Sequence, residues 1–194
     1  GLMDRFVHTY HTKSGDPYYL AAAASKIEGG NKFRSDSTSW TTWVALERAH
    51  GMTEHAINRR QSVKMMGFGG VGGPFARFVE EDKNKRYEVD AISDVFGEIE
   101  RTIFVPEGSG GIPVSKDLLK YLADHRGEDK ILMTMKYLTE FHPEVAEHAQ
   151  VSTVKGLINT IKSHWFVLAG PGGVLNERTV PDDPEVIENI ARLG

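Results

Sequence analysis

The chain has 194 residues, of which 40% are apolar and 26% are charged, values near the average for globular proteins. This length predicts a single domain over residues 1–194 with a full hydrophobic core, and a hinge near residues 106–114. The absence of cysteine excludes disulfides, thiolate metal sites and cysteine nucleophiles. With a net charge of −4, any contact with nucleic acid would need a local basic patch.

The sequence predicts neither a membrane partner nor a bound cofactor. Its apolar stretches are shorter than the run of about 18 residues that a transmembrane helix needs. The beginning of the chain lacks the pattern of a signal peptide, so a soluble, cytoplasmic protein is expected. The eight histidines show no spacing typical of zinc ligands, so no metal site is predicted.

The first third of the chain predicts one short strand followed by helices. Residues 5–12 alternate as in a strand. Asp16, Pro17 and Gly29 are typical of the boundaries of a helix over residues 17–28. Two further helices are expected, over residues 40–51 and 52–66.

The rest of the chain also reads mainly as helix. Pro74 can begin one helix, and Ser115 is a typical N-cap for another. Apolar residues at helical spacing extend the prediction to the ranges 74–82, 89–104, 116–125, 128–141, 143–149, 152–170 and 184–193. The predicted fold class is therefore mainly α: a single compact helical domain of about eight or nine helices, with glycine-rich loops and little strand.

The stretch "GFGGVGGPFARFV" (67–79) places five glycines directly before a predicted helix. A glycine-rich loop before a helix is typical of an anion site, because backbone N–H groups there can face a phosphate. The Lys-Ser/Thr ending of a P-loop is absent, and no Val/Ile-rich strand precedes the glycines. The sequence therefore argues against a nucleotide-binding loop and favours two helices joined by a glycine-rich turn.

Residues 68–79 resemble a helix-hairpin-helix motif. In that motif the two glycines, matching Gly70 and Gly72, let backbone amides approach a DNA phosphate, and the alanine, matching Ala76, allows the helices to pack closely. Such contacts hold the DNA backbone without reading its sequence. The expected nucleic-acid-binding residues are Gly70, Gly72, Gly73, Arg59, Arg60, Lys64 and Arg77. A solvated basic face is the alternative explanation for the arginines and the lysine.

The segment "EVDAISDVFGEI" extends this resemblance, over Phe68 to Ile99, to the DNA glycosylases of the helix-hairpin-helix superfamily. The resemblance places Asp90 at the family's catalytic aspartate, which assists cleavage of the glycosidic bond of a flipped base. Bifunctional members carry a lysine where this chain has Pro74, so a monofunctional hydrolase is implied. The alternative role of Asp90 is to cap the helix that follows it.

Three hypotheses about function remain open from the sequence. The first is a monofunctional base glycosylase, and the second is a nucleic-acid-binding module that keeps the hairpin without catalysis. The third is a helical structural or assembly protein of viral or phage type, in which the glycine loops would serve contacts in a homo-oligomer. The acidic net charge and the lack of a complete catalytic set favour this third alternative.

Overall fold

The computed structural model describes residues 12–13, 34–52 and 60–169. In chain order they form α1 (Arg34–Met52), β1 (Gln61–Met66), α2 (Gly72–Glu80), β2 (Tyr87–Phe96), β3 (Ile99–Phe104), α3 (Lys116–Asp124), α4 (Lys130–Phe141), α5 (Pro143–Ala146), β4 (Gln150–Ser152), a 3-10 turn (Leu157–Asn159) and β5 (Trp165–Leu168).

The five strands form one mixed sheet in the order β4-β3-β2-β1-β5. The central strand β1 pairs in parallel with β2 on one side and with β5 on the other. Strand β3 is antiparallel to both β2 and β4. Helix α2 connects β1 to β2, as a crossover between neighbouring parallel strands requires.

The prediction of a mainly α fold is wrong, and residues 89–104 show why. Ile92, Val95, Phe96 and Ile99 have helical spacing, yet the first three lie on β2 and the last begins β3. Ile92 is fully buried, whereas the other three are 39–46% exposed, so they form no common apolar face. The chain reverses at Gly97, whose φ of 63° suits glycine.

The helices predicted over residues 52–66 and 152–170 are also wrong where the structure describes them. All six residues of β1 are buried, because a strand inside a parallel sheet is covered on both faces. Such a strand shows no alternation of polar and apolar residues, and this one includes Gln61 and Lys64. Residues 152–168 divide between the end of β4, the 3-10 turn and β5.

Several helices are confirmed close to their predicted positions, and their caps explain why. The Oγ atom of Ser115 accepts a hydrogen bond from the N–H of Leu118 at 3.2 Å, which caps α3. Asp129 caps α4 by accepting from Ile131 and Leu132. The predicted helices over 17–28 and 184–193, and the strand over 5–12 apart from its last residue, lie outside the described residues.

The larger core lies between one face of the sheet and the helices α1 to α4. Its fully buried members include Val63, Met65, Phe75, Tyr87, Ile92, Ile103, Leu118 and Leu138. A smaller cluster on other strand positions joins Met66 and Ala91 to Ile158 of the 3-10 turn. Within the described ranges, no helix is both long and apolar enough to cross a membrane.

The segment after β3, where the sequence predicts a hinge, runs beside the first half of β2. The N–H of Ile112 donates to the carbonyl of Val89 at 2.6 Å, and Ile112 and Val114 are buried. A Cβ on Gly111 would lie 2.9 Å from the Cβ of Glu88. Glycine therefore allows this segment to approach the strand closely.

Replacing Phe75 by alanine should destabilise the protein far more than the same change at Phe141. Phe75 is fully buried beneath the sheet, whereas Phe141 is 52% exposed on α4. We expect Phe75→Ala to lower the free energy of unfolding by about 3–5 kcal/mol. Phe141→Ala should cost about 1 kcal/mol or less. Urea denaturation of both variants measures the difference, and equal losses would contradict this placement of the core.

Candidate functional site

The glycine-rich loop leaves the carboxyl end of the central strand, where three parallel strands end side by side. Gly67 turns the chain out of β1 with a φ of 97°, and its N–H donates to the carbonyl of Ser93 at 2.7 Å. On the other side, the N–H of Ala169 donates to the carbonyl of Met66 at 2.8 Å. Both neighbouring strands therefore fix the start of the loop.

Four glycines of the loop occupy three different environments. Gly67 provides the tight turn described above. A Cβ on Gly72 would lie 2.0 Å from the carbonyl oxygen of Gly67, so only glycine lets α2 start this close to the strand. Gly69 and Gly70 are exposed, and among the described residues a Cβ on either would meet no atom within 4 Å. Their backbone is therefore open to a ligand.

The spacing of these residues is Gly67-x-Gly69-x-x-Gly72, with the buried Ala76 four residues later on α2. In dinucleotide-binding folds this spacing joins a strand to a helix: the first glycine makes the turn, the second lets a pyrophosphate approach, and the third allows close packing of the helix. All three roles match the environments seen here. The loop is also anchored by the buried Ser39 of α1, whose hydroxyl donates to the carbonyl of Val71 at 2.8 Å.

The strand order changes direction at β1, beside this same edge of the sheet. From β1 the chain crosses through α2 to β2 on one side, while β5 occupies the other side of β1. In open α/β sheets, ligands bind outside the carboxyl ends of the strands where the strand order reverses. The loop after β1 lies at this position.

An acidic side chain, Asp94, lies near the end of β2, about 20 residues beyond the glycine loop. It is adjacent to Ser93, which pairs with Met66 at the end of β1. Its Oδ1 atom accepts a hydrogen bond from the N–H of Val95 at 3.0 Å, and its Oδ2 atom lies 2.7 Å from the Nζ atom of Lys130. A carboxylate at this place can accept hydrogen bonds from a ribose.

Asp90, the predicted catalytic residue, is buried in β2 and is not the N-cap of a helix. It lies where the pairing of β1 with β2 shifts between Val63 and Lys64. Its Oδ2 atom accepts from the hydroxyl of Ser163 at 2.6 Å, whereas its buried Oδ1 atom has no hydrogen-bond partner in the described structure. Burial raises the pKa of Asp90 to about 6, although the hydrogen bond from Ser163 opposes the shift.

Lys64, a predicted phosphate contact, lies inside the sheet. Its side chain is fully buried, and its Nζ atom donates to the carbonyl of Ile161 at 2.7 Å and lies 4.8 Å from the ring centre of Phe166. Burial lowers the pKa of Lys64, and the negative charge of Asp90 opposes this shift. Of the predicted site residues, Lys64 and Asp90 thus lie close enough for their charges to interact.

The remaining predicted basic residues do not form one patch with the loop. Arg60 lies at the start of β1 and binds the carbonyl of Tyr87, so the six-residue strand separates it from the glycines by roughly 20 Å. Arg77 lies on α2, where Asp36 is 3.3 Å away. Arg59 lies outside the described residues.

Gly73 and Asp94 complete the comparison with the sequence-based prediction. Gly73 faces α3, since a Cβ there would lie 3.2 Å from Leu119 Cδ2. Sequence reasoning missed Asp94, although its distance from the Gly-x-Gly-x-x-Gly pattern was a usable signal. The argument against a nucleotide-binding loop depended on the absence of a preceding strand, and β1 is that strand. No cluster of metal-ligating side chains occurs within residues 12–13, 34–52 and 60–169.

No protein-family model and no curated protein sequence matches this chain. A solved structure described as a glutamate dehydrogenase is similar, with a TM-score of 0.58 and 15% sequence identity. The match covers 99% of this chain and 37% of that chain, so this chain spans little more than a third of that protein's length. At this identity the likeness shows the fold alone. The fold is of the Rossmann-like α/β class, which corrects the all-α prediction.

Gly72→Ala should destabilise the protein, whereas Gly70→Ala should not. The new Cβ at position 72 would overlap the carbonyl oxygen of Gly67, while the one at position 70 would point into open space. We expect losses of roughly 2 kcal/mol or more for Gly72→Ala and within about 0.5 kcal/mol for Gly70→Ala. Chemical denaturation measures both. A stable Gly72→Ala variant would contradict the tight packing of the loop.

The buried carboxyl of Asp90 should make stability depend on pH. Because burial raises its pKa from 3.8 to about 6, folding favours the protonated form. Its contribution is complete below about pH 4 and is lost as the pH rises through the folded-state pKa. The stability of Asp90→Asn relative to wild type should therefore increase by up to about 3 kcal/mol between pH 4 and pH 7.5.

Urea denaturation across this pH range tests the effect of Asp90, with Asp117→Asn as the matched control. Asp117 is exposed in the first turn of α3, so its substitution removes a carboxyl group that folding does not bury. A difference for Asp90→Asn that is constant with pH would show that its carboxyl titrates like an exposed one.

Proposed function

We propose that this chain binds a dinucleotide, with the pyrophosphate at the loop from Gly67 to Gly72 and the adenosine ribose at Asp94. One observation carries the proposal: three glycines with the spacing of a dinucleotide loop lie at the end of the central parallel strand. Each has the environment that its role demands, as turn, open backbone and close helix packing.

The chemistry of the loop suits a pyrophosphate. The N-terminus of α2 carries backbone N–H groups and the positive end of the helix dipole, and both favour an anion. A phosphate must approach the backbone of Gly69 or Gly70 closely, and no side chain of residues 12–13, 34–52 or 60–169 occupies the space above either. Filling this open space with a side chain would keep the phosphate away.

The position of Asp94 suits a ribose. Its side chain is 20% exposed at the end of β2, next to the strand from which the loop departs. A carboxylate has about four acceptor sites, and Val95 and Lys130 use two of them. The remaining sites can accept hydrogen bonds from ribose hydroxyls.

The name of the structural neighbour is consistent with this proposal. A dinucleotide that carries a nicotinamide supplies hydride transfer when it is bound. Oxidation of glutamate belongs to the neighbour, and this chain spans only 37% of that protein. For this chain we therefore propose dinucleotide binding and carry over no substrate.

Contact with the DNA backbone and aspartate-assisted release of a base stay predictions from the sequence. Dinucleotide binding takes precedence because residues 61–66 form a strand, where a helix-hairpin-helix would have its first helix. Asp90 also lies in the interior of the sheet with Ser163 on its carboxylate, which leaves it little access to a base.

Titration calorimetry with NAD+ tests the proposal through Gly69→Val. Because no atom of the described part of the chain lies within 4 Å of a Cβ at position 69, the fold should tolerate valine while the side chain blocks the pyrophosphate. We expect NAD+ affinity to fall by at least about tenfold. Gly51→Val is the matched control, since Gly51 is equally open but lies on α1. Wild-type protein that binds no NAD+, or a Gly69→Val variant that binds it normally, would refute the proposal.

A further inference from the structure

Four charged side chains meet where β2 ends and α4 begins. Asp94 of β2 pairs with Lys130, the first residue of α4, at 2.7 Å. Arg101 of β3, which stands opposite Asp94 in the sheet, forms an ion pair with Asp129. The carboxylate proposed to bind ribose thus belongs to a cluster of two acidic and two basic groups, whose charges balance.

The two cations differ in their freedom to move. The side chain of Arg101 is 17% exposed and is bound to Asp129, which is 8% exposed. Asp129 is itself fixed, because it also accepts the hydrogen bonds that cap α4. Lys130 is 43% exposed, and within the described ranges its Nζ atom donates a hydrogen bond to Asp94 alone. Lys130 is therefore the cation that can change partner.

We propose that Lys130 determines cofactor specificity by letting the site accept a ribose 2′-phosphate as well as a plain ribose. This inference rests on the proposed dinucleotide function. With NAD+, Lys130 stays on Asp94 while the carboxylate accepts the ribose hydroxyls. With NADP+, the ammonium moves from Asp94 to the 2′-phosphate.

The physical reason lies in the charge of the pair. An isolated carboxylate at the end of β2 would repel a phosphate and select NAD+. Here Lys130 neutralises Asp94 and carries its ammonium on a flexible stem that can follow the phosphate. A small cavity of about 50 Å³ adjoins the pair and is lined by both residues, which leaves room for this movement.

Titration calorimetry of the full chain with NAD+ and with NADP+ tests the inference on wild type, Lys130→Met and Lys130→Arg. We expect wild type to bind both dinucleotides with affinities within about tenfold of each other. Methionine keeps the length of the stem but removes the charge, so NADP+ should bind about tenfold or more weakly while NAD+ changes little. Arginine should retain NADP+ binding, since it also pairs with phosphate.

Lys116→Met is the matched control. Lys116 is 73% exposed and pairs with Glu81 at 3.1 Å, so the variant removes an equivalent surface charge away from Asp94. Its affinities for both dinucleotides should equal those of wild type.

Each other outcome has its own meaning. Equal weakening of both dinucleotides by Lys130→Met would show that Lys130 only orients Asp94, and this would overturn the inference. So would wild-type protein that binds NAD+ and not NADP+, or a Lys130→Met variant whose NADP+ binding is unchanged. Protein that binds neither dinucleotide would refute the proposed function itself.

Discussion

The contact between Gly72 and the carbonyl of Gly67 is the constraint on which the rest of the structure depends. It brings the first residue of α2 so close to the end of β1 that a Cβ at position 72 would lie 2.0 Å from that oxygen. From this start α2 runs beneath the sheet and buries Phe75, Ala76 and Val79 in the main core. Between these two glycines, Gly69 and Gly70 lie exposed at the edge proposed to bind a dinucleotide.

Two pairs of ionisable groups lie in or beside the sheet, and the two pairs differ in how deeply they are buried. Asp90 and Lys64 are buried, and burial favours the neutral form of each. It raises the pKa of Asp90 and lowers the pKa of Lys64. Asp94 and Lys130 are partly exposed and pair directly. The buried pair therefore affects stability as a function of pH, whereas the partly exposed pair lies within reach of solvent.

The sequence predicted local structure well where the signal was local. The helices after Pro74 and Ser115 were found because capping and helical periodicity involve residues within a few positions of each other. The strands were missed for the opposite reason. Residues 61–66 contain a glutamine and a lysine and do not alternate, because β1 is covered on both faces by parts of the chain that are distant in sequence.

The amino-acid sequence alone determined the glycine spacing, the helix that follows it and the acidic residue about 20 positions later. It could not determine which glycine turns, which packs and which stays open, because those roles depend on neighbours from β2, α3 and the end of β5. Nor could it show that Asp90 is buried and Asp94 accessible, since both are aspartates on one strand. Only the pairing of β2 with β1 and β3, and the covering of its first half, separates the two.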